Sequence, residues 1–249
     1  MTDLVLVTDD GPLRTVRMNR PDKKNALTLP MYDAMAEAIE GAAANKALRC
    51  LLIAGAPSVF CAGNDIGDFL TMADGGALGA PIVRFLHALA RCDMPLVAAV
   101  QGNAVGVGTT MLMHCDHVVA SNQARFATPF VGLGLVPEAA SSLIAPRLMG
   151  HARAFALLVM GRPLTADDAK TAGLVNTVTA PGTVEDEAMA AARAIAALPP
   201  EAVLASRRLM RGAPDEIVAR IDAEAEQFKA RLKSAEARAA FEAFMQRKK

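Results

Sequence analysis

One acidic residue in this sequence is placed where it could act as a proton acceptor. Glu138 is the only carboxylate between Asp116 and Asp167, and its neighbours are mostly apolar. A carboxylate in apolar surroundings loses solvation, so its pKa is expected to rise and it accepts protons better near neutral pH. Glu138 is therefore our candidate general base. The alternative is structural, because Pro137 and Glu138 could simply start a helix, where proline and an acidic residue are both favoured.

Two glycine-containing loops could bring backbone N–H groups to a ligand. The first loop (residues 60–66) reads Phe-Cys-Ala-Gly-Asn-Asp-Ile, and the second loop (residues 101–110) reads Gln-Gly-Asn-Ala-Val-Gly-Val-Gly-Thr-Thr. The second precedes an apolar stretch, so we expect its N–H groups at a helix N-terminus, which stabilises an anion. It lacks the third glycine of a dinucleotide fingerprint and the lysine of a P-loop. The glycines could also do no more than permit tight turns.

Taken together, a base and two backbone donors suit one kind of reaction. The base can remove a proton next to a carbonyl while the N–H groups stabilise the enolate oxygen that develops. Neither feature suffices alone.

The elements that position these residues follow an α/β pattern. Alternating apolar residues at 4–7 and 13–18, around Asp10-Gly11-Pro12, predict a hairpin, and Thr28 is placed to cap the next helix. Strands are predicted at 50–54, 96–100, 117–120 and 124–127, with a helix at 82–90.

Beyond Gly150 almost everything is predicted to be helical, because alanine-rich segments dominate. We place an α/β core at residues 1–199 and a C-terminal helical oligomerisation region at 200–249. The helices are predicted at 185–197, 200–211, 214–232 and 235–246.

Composition narrows the possible partners. Of the 249 residues, 53% are hydrophobic, enough for a buried core. Lys+Arg 26 balance Asp+Glu 26, and with no Trp and one Tyr there is little for nucleic acid to contact. Apolar runs are too short to span a bilayer, and the start Met-Thr-Asp-Leu lacks the basic segment of a signal peptide. These features predict a soluble cytoplasmic protein without nucleic acid or membrane partners.

The cysteines and histidines do not form recognisable metal motifs. The four cysteines stand apart rather than in C-x-x-C pairs, so we expect reduced thiols. His114 and His117 could share a metal, but we interpret them as core or surface histidines and predict no metal site.

Three segments, in this order, resemble motifs of the enoyl-CoA hydratase/isomerase (crotonase) superfamily. Residues 19–27 (Asn-Arg-Pro-Asp-Lys-Lys-Asn-Ala-Leu) resemble its opening motif, 61–66 its first oxyanion loop and 102–108 its second. The resemblance covers nearly the whole chain. It implies a crotonase-type spiral of ββα units with a C-terminal helical region, assembled as a homotrimer or homohexamer.

The resemblance also implies roles for individual residues. The backbone N–H groups of Asn64 and Val107 would form an oxyanion hole for the carbonyl of an acyl-CoA thioester. Lys24 would lie near the CoA phosphates. The remaining substrate- or CoA-binding positions would be Ala62, Gly63, Asp65, Ile66, Gly106 and Phe130. Coenzyme A is part of the substrate, so no separate cofactor is expected.

Departures from the family pattern suggest a subfamily. Hydratases of this family use two glutamates, whereas the matching positions here look like Thr110 and Phe130. The segments 63–65, 128–130 and 137–142 instead resemble the Δ3,Δ2-enoyl-CoA isomerase branch, in which Glu138 would be the single base. A divergent hydratase and a noncatalytic acyl-CoA-binding protein remain the alternatives.

Overall fold

The computed structural model describes residues 3–56, 58–65, 67 and 79–246. It confirms the mixed α/β class, with one larger sheet, one smaller sheet and helices around them. The strands are β1 (Val5–Asp10), β2 (Leu13–Met18), β3 (Cys50–Ala54), β4 (Leu96–Val100), β5 (Ala104–Val105), β6 (His117–Ser121), β7 (Arg125–Ala127), β8 (Leu164–Thr165) and β9 (Thr177–Thr179). The α-helices are α1 (Leu29–Ala42), α2 (Ala80–Arg91), α3 (Val107–Thr110), α4 (Ser141–Met149), α5 (His151–Leu158), α6 (Ala166–Thr171), α7 (Val184–Ala196), α8 (Pro200–Arg211), α9 (Pro214–Leu232) and α10 (Ala235–Gln246). Short 3₁₀ helices lie at Pro21–Lys23, Met111–His114, Val131–Leu133 and Pro181–Thr183.

The larger sheet has the strand order β1-β2-β3-β4-β6-β9. β1 and β2 form the predicted antiparallel hairpin, and the remaining neighbours are parallel. β3 and β4 are buried along their whole length, since helices cover both faces and the strands are continuously apolar. α7 packs on one face through Val184, Ala188 and Ala192, spaced one helical turn apart. α1 and α2 belong to the core on the other face.

This sheet brings the two glycine loops together. β3 and β4 are parallel neighbours, and the first loop follows β3 while the second follows β4. In such sheets, the loops after adjacent parallel strands leave from the same edge, where ligands commonly bind. The second loop also contains β5, which pairs with β7 in the smaller sheet of order β5-β7-β8.

Predictions for the second half of the chain were partly wrong. The four C-terminal helices are present, with bounds within one residue of those predicted. Two short strands interrupt the expected all-helical stretch after Gly150, however. β8 joins the smaller sheet and β9 forms an edge of the larger one, because the free side of β6 offers Thr177–Thr179 a ladder of hydrogen bonds.

The helix ends also differ in one detail. Thr28 does occupy the N-cap of α1, but its hydroxyl makes no capping hydrogen bond and is buried without a partner in the described part of the chain. Among the described residues, no single helix is long and apolar enough to cross a membrane, and only the bent pair Pro181–Ala196 and Pro200–Arg211 meets the length and composition criteria together.

Candidate active site

The two loops run side by side in a fixed register. Cys61 and Ala104 are partners in a parallel β-bridge, and the N–H of Val105 donates to the Cys61 carbonyl at 2.9 Å. Farther along, a Cβ at Gly106 would lie 4.0 Å from the Cα of Gly63, so Asn64 and Val107, the residues that follow these glycines, lie in neighbouring parts of the two loops.

The backbone amides of these two residues are available for a ligand. Within the described ranges, neither the N–H of Asn64 nor that of Val107 donates a hydrogen bond. Val107 is the first residue of α3, where the N–H groups have no partner inside the helix. Gly106, just before it, has φ 56° and ψ −122°, a conformation that glycine adopts far more easily than other residues. The two amides can therefore hold a developing negative charge.

A cavity of about 160 Å³ lies between the loops and the C-terminal helices. Its walls are mainly apolar, which suits an acyl chain rather than a polar ligand. A larger cavity of about 660 Å³ opens between α1, α2 and α8, but neither loop reaches it. The smaller cavity is lined by Ala62, Gly63, Asn64, Val105, Gly106, Pro129, Phe130, Leu133, Leu135, Phe228 and Phe241.

Glu138 is buried, and the pKa of its carboxyl group is strongly raised. It lies three residues before Ser141, the first residue of α4, so the interpretation that it starts this helix is wrong. The pKa of Glu138 is raised to about 8, mainly by burial; the hydrogen bond from Thr110 opposes this rise, and the charge of Glu224 adds to it. A carboxyl with this pKa can exchange a proton near neutral pH.

Two hydroxyl groups make side-chain hydrogen bonds at the site. Thr110, at the end of α3, donates to Oε1 of Glu138. Tyr32, from α1, donates to the Asn64 side-chain oxygen at 2.5 Å. Burial raises the pKa of Tyr32 well above its usual value, and the nearby charge of Glu138 adds to this. Thr110, whose N–H donates to the Gly106 carbonyl at 3.0 Å, therefore links the Glu138 carboxyl to the loop that lines the cavity.

The structure brings most of the predicted site residues together. Ala62, Gly63, Asn64, Gly106 and Phe130 line the cavity, whereas Val107 and Glu138 are buried and are not among the lining residues.

The predicted CoA-binding residues lie around the start of the first loop. Lys24 is exposed, and its carbonyl accepts from the Ala62 N–H at 3.0 Å. Asp65 forms an ion pair with Arg20 at 2.7 Å. Ile66 lies outside the described residues.

Several residues at the site were not predicted from the sequence. Tyr32 is the only tyrosine in the chain, which could have drawn attention to it. Glu224 interrupts the apolar face of α9, a detectable signal. Phe228 and Phe241, which close the cavity, look like ordinary core residues at helical spacing and carry no distinct signal.

The histidines make no metal site in the described part of the chain, where no group of three or more His, Cys, Asp or Glu could hold a metal ion. His114 is buried, and its Nε2 lies 2.8 Å from the Ala139 carbonyl, to which it donates. Burial lowers the pKa of His114 to about 4, so it is neutral near pH 7.

Comparisons with known proteins agree with this geometry. The profile of the enoyl-CoA hydratase/isomerase family matches residues 10–249. Rat (Rattus norvegicus) enoyl-CoA delta isomerase 2 is 38% identical over 213 residues, which are 83% of this chain and 54% of the rat protein. The chain thus spans about half the length of that relative. Escherichia coli K12 1,2-epoxyphenylacetyl-CoA isomerase is 33% identical over 205 residues, covering 80% of this chain and 78% of the relative.

Solved structures show the same fold. OdaA from Pseudomonas aeruginosa superimposes with a TM-score of 0.93 at 45% identity, covering 98% of this chain and 99% of the other. The fold expected from the resemblance is therefore confirmed, and the chain belongs to the enoyl-CoA hydratase/isomerase family.

Proposed function

We propose that this protein is an enoyl-CoA isomerase that moves the double bond of a 3-enoyl-CoA thioester to the 2-position. The observation that carries the proposal is the buried carboxyl of Glu138, with its pKa near 8, hydrogen-bonded to Thr110 at the end of the second loop, together with two loops that offer unpaired backbone amides. The similarity to enoyl-CoA delta isomerase 2 supports it.

One carboxylate is enough for this reaction. Ionised Glu138 takes a proton from C2 of the 3-enoyl thioester, and the electron pair moves to the thioester oxygen as a dienolate forms. The N–H groups of Asn64 and Val107 stabilise that oxygen. Protonated Glu138 then returns the proton to C4, the C2–C3 double bond forms and the thioester carbonyl is restored. The substrate is isomerised with no net gain or loss of atoms and without a separate cofactor.

The proposed substrate position follows from the cavity. The acyl chain enters the apolar cavity beside Gly106 and Phe130, and the thioester oxygen lies between the two amides. Lys24 contacts the CoA phosphates, and the remaining CoA contacts come from Ala62, Gly63 and Asp65. We further propose that the protein works as a homotrimer or homohexamer.

Hydration is less well supported. Phe130 contributes an apolar ring to the cavity, and the Thr110 hydroxyl already donates a hydrogen bond to Glu138. Neither residue offers a second carboxylate to orient water. The relation to 1,2-epoxyphenylacetyl-CoA isomerase shows that relatives of this chain carry out other isomerisations, so the substrate must be tested directly.

A panel of 2-enoyl-CoA and 3-enoyl-CoA esters of several chain lengths, with product identification, tests the proposal. We expect 3-enoyl esters to be converted to 2-enoyl esters. Formation of a 3-hydroxyacyl-CoA from a 2-enoyl ester, without isomerisation, would establish a hydratase instead. Binding of CoA esters without turnover of either class would identify a noncatalytic acyl-CoA-binding protein.

A further inference from the structure

The backbone that carries Glu138 has an unusual conformation. Ala139 and Ala140, directly after it, have φ 62° and 55°, in the left-handed region. Residues with a Cβ are disfavoured there, and both alanines are fully buried. Such a turn persists only where surrounding contacts hold it. The position of the Glu138 side chain therefore depends on whatever fixes residues 139 and 140.

Glu224 supplies the main contacts to this turn from a distant part of the chain. Its Oε2 accepts from the Ala140 N–H at 2.6 Å, and its Oε1 accepts from the Ser142 N–H at 2.9 Å. Each carboxylate oxygen thus binds a different amide at the start of α4, where the helix dipole also favours negative charge. Two further bonds hold the turn, from the Ser141 hydroxyl to the Glu138 carbonyl at 2.6 Å and from His114 to the Ala139 carbonyl.

The place of Glu224 on α9 suggests that its role is specific. The other buried residues of this helix are Val218, Ile221, Phe228 and Leu232. Glu224 lies on the same face and is only 7% exposed. A buried carboxylate is unfavourable unless it is hydrogen-bonded, and an apolar residue would fit this face with less desolvation. The two amides before and within α4 are the partners that compensate for its burial.

We propose that Glu224 is a positioning residue for Glu138: the Glu224 carboxyl group holds the left-handed turn from which the Glu138 side chain reaches Thr110. The proposal rests on the proposed function, in which Glu138 is the base. Both carboxylate oxygens of Glu224 accept hydrogen bonds from the turn and the start of α4, so Glu224 acts through the turn and not on the substrate.

The charge of Glu224 has a second effect on Glu138. It raises the pKa of Glu138, so its removal should lower that pKa. The other titratable or hydrogen-bonding groups around the pair are Tyr32 from α1, Cys61 from the first loop, Thr110 from α3, Arg220 beside Glu224 on α9, and His114 beside the turn with Arg207 and Arg211 behind it. Because burial keeps the pKa of His114 near 4 and raises that of Cys61 to about 12, neither titrates between pH 5 and 9.

The test compares Glu224→Gln, Glu224→Asp and the control Glu216→Gln. Glu216 lies on the same helix and also contacts α4, through Arg147, but it is exposed. Gln keeps the shape of Glu224 but removes its charge and presents an NH₂ group to one of the amides. We expect Glu224→Gln to lower kcat about 10- to 100-fold, since small displacements of a catalytic group have effects of this size. KM should change less than about twofold, and the low-pH limb of the rate profile should move to lower pH.

Glu224→Asp distinguishes the effect of the charge from the effect of the side-chain length. It retains the charge, so its low-pH limb should stay close to wild type, while its shorter side chain lowers kcat. The control should match wild type in both. An unchanged kcat and pH profile in Glu224→Gln, or a loss confined to KM, would overturn the proposal.

A readout independent of turnover keeps this test separate from the proposed function. The titration of Glu138 can be followed by NMR of protein labelled with ¹³C at glutamate carboxyls, with the signal assigned by its absence in Glu138→Gln. We expect a lower midpoint in Glu224→Gln than in wild type or Glu216→Gln. If the wild-type protein isomerises nothing, the proposed function fails, yet this shift still reports whether Glu224 acts on Glu138. If Glu224→Gln does not fold, the kcat of Glu224→Asp decides, and a wild-type kcat would refute the role.

Discussion

Replacing Glu138 by glutamine should separate catalysis from stability. Glutamine keeps the volume of the side chain and an oxygen that can accept from Thr110, but it cannot take a proton. If Glu138 is the base, isomerisation should fall by about 10²- to 10⁴-fold, the usual contribution of general acid–base catalysis. Binding of the CoA ester should change little, because glutamine has nearly the same size and the thioester oxygen is held by backbone amides and not by Glu138.

The pKa of Glu138 predicts how wild-type activity depends on pH. With a pKa of about 8, roughly one molecule in ten carries the ionised base at pH 7, and most carry it at pH 9. The kcat/KM of the wild-type enzyme should therefore rise about tenfold over this interval. The residual activity of Glu138→Gln should lack this rise.

Stability should change in the opposite direction from activity. Because the folded-state pKa is raised from 4.5 to about 8, the folded protein binds this proton more tightly than the unfolded chain. The stabilisation that results is complete below pH 4.5 and is lost as the pH rises through 8. At 1.36 kcal/mol for each tenfold change, ionised Glu138 costs at most about 5 kcal/mol. Glu138→Gln should match wild type at pH 4 and be more stable above pH 8.

The assays are steady-state isomerisation of a 3-enoyl-CoA and urea unfolding of both proteins at pH 4, 7 and 9. Glu216→Gln is the matched control, since it removes an exposed carboxylate. Turnover close to wild type in Glu138→Gln would refute the role of this residue as the base. A difference in the free energy of unfolding between the two proteins that does not change with pH would refute the conclusion that burial raises the pKa of Glu138.

Three other predictions concern the site and the assembly. Thr110→Val removes the hydrogen bond that lowers the pKa of Glu138, so the low-pH limb of kcat/KM should move to higher pH. A Cβ at Gly108 would lie 2.8 Å from atoms of Cys61, so Gly108→Ala should push the two loops apart. We expect this substitution to lower the free energy of unfolding by about 1–3 kcal/mol and to reduce kcat. The control Gly182→Ala places a Cβ with nothing within 4 Å and should leave both quantities unchanged. Because α8 carries two apolar side chains that are 86% and 87% exposed, light scattering should give three or six times 26.0 kDa, and a monomer at micromolar concentration would contradict this.

Local sequence patterns were sufficient to predict helices whose ends are marked by residues within the helix itself. Pro200 and Pro214 stand in the first turns of α8 and α9, and strong helix formers follow them, so both helices were predicted with their observed bounds. β9 could not be found in this way. Its three residues form a strand only because β6 is next to them in the folded protein, and nothing within Thr177–Thr179 specifies that neighbour.

The same distinction between local patterns and tertiary contacts applies to the candidate site. Glycine spacing indicated two loops with exposed amides, and the absence of other carboxylates indicated Glu138. The closeness of the two loops, by contrast, depends on parallel pairing of Cys61 with Ala104, about forty residues apart in the chain. The hydroxyl of Tyr32 acquires a role only when α1 packs beside the first loop. Such contacts depend on the tertiary fold, and neither local propensity nor spacing encodes them.

The C-terminal helices contribute more to the site than a separate oligomerisation region would. Phe228 from α9 and Phe241 from α10 close the cavity, and Glu224 from α9 binds the amides that follow Glu138. The ionised base is unfavourable where it lies, and the turn that carries it is strained, so the active conformation requires stabilisation from elsewhere in the chain. Docking of α9 provides that stabilisation through buried apolar area and through the two hydrogen bonds of Glu224. The proposed boundary near residue 199 therefore separates elements of the fold, while the candidate site is built from both sides of it.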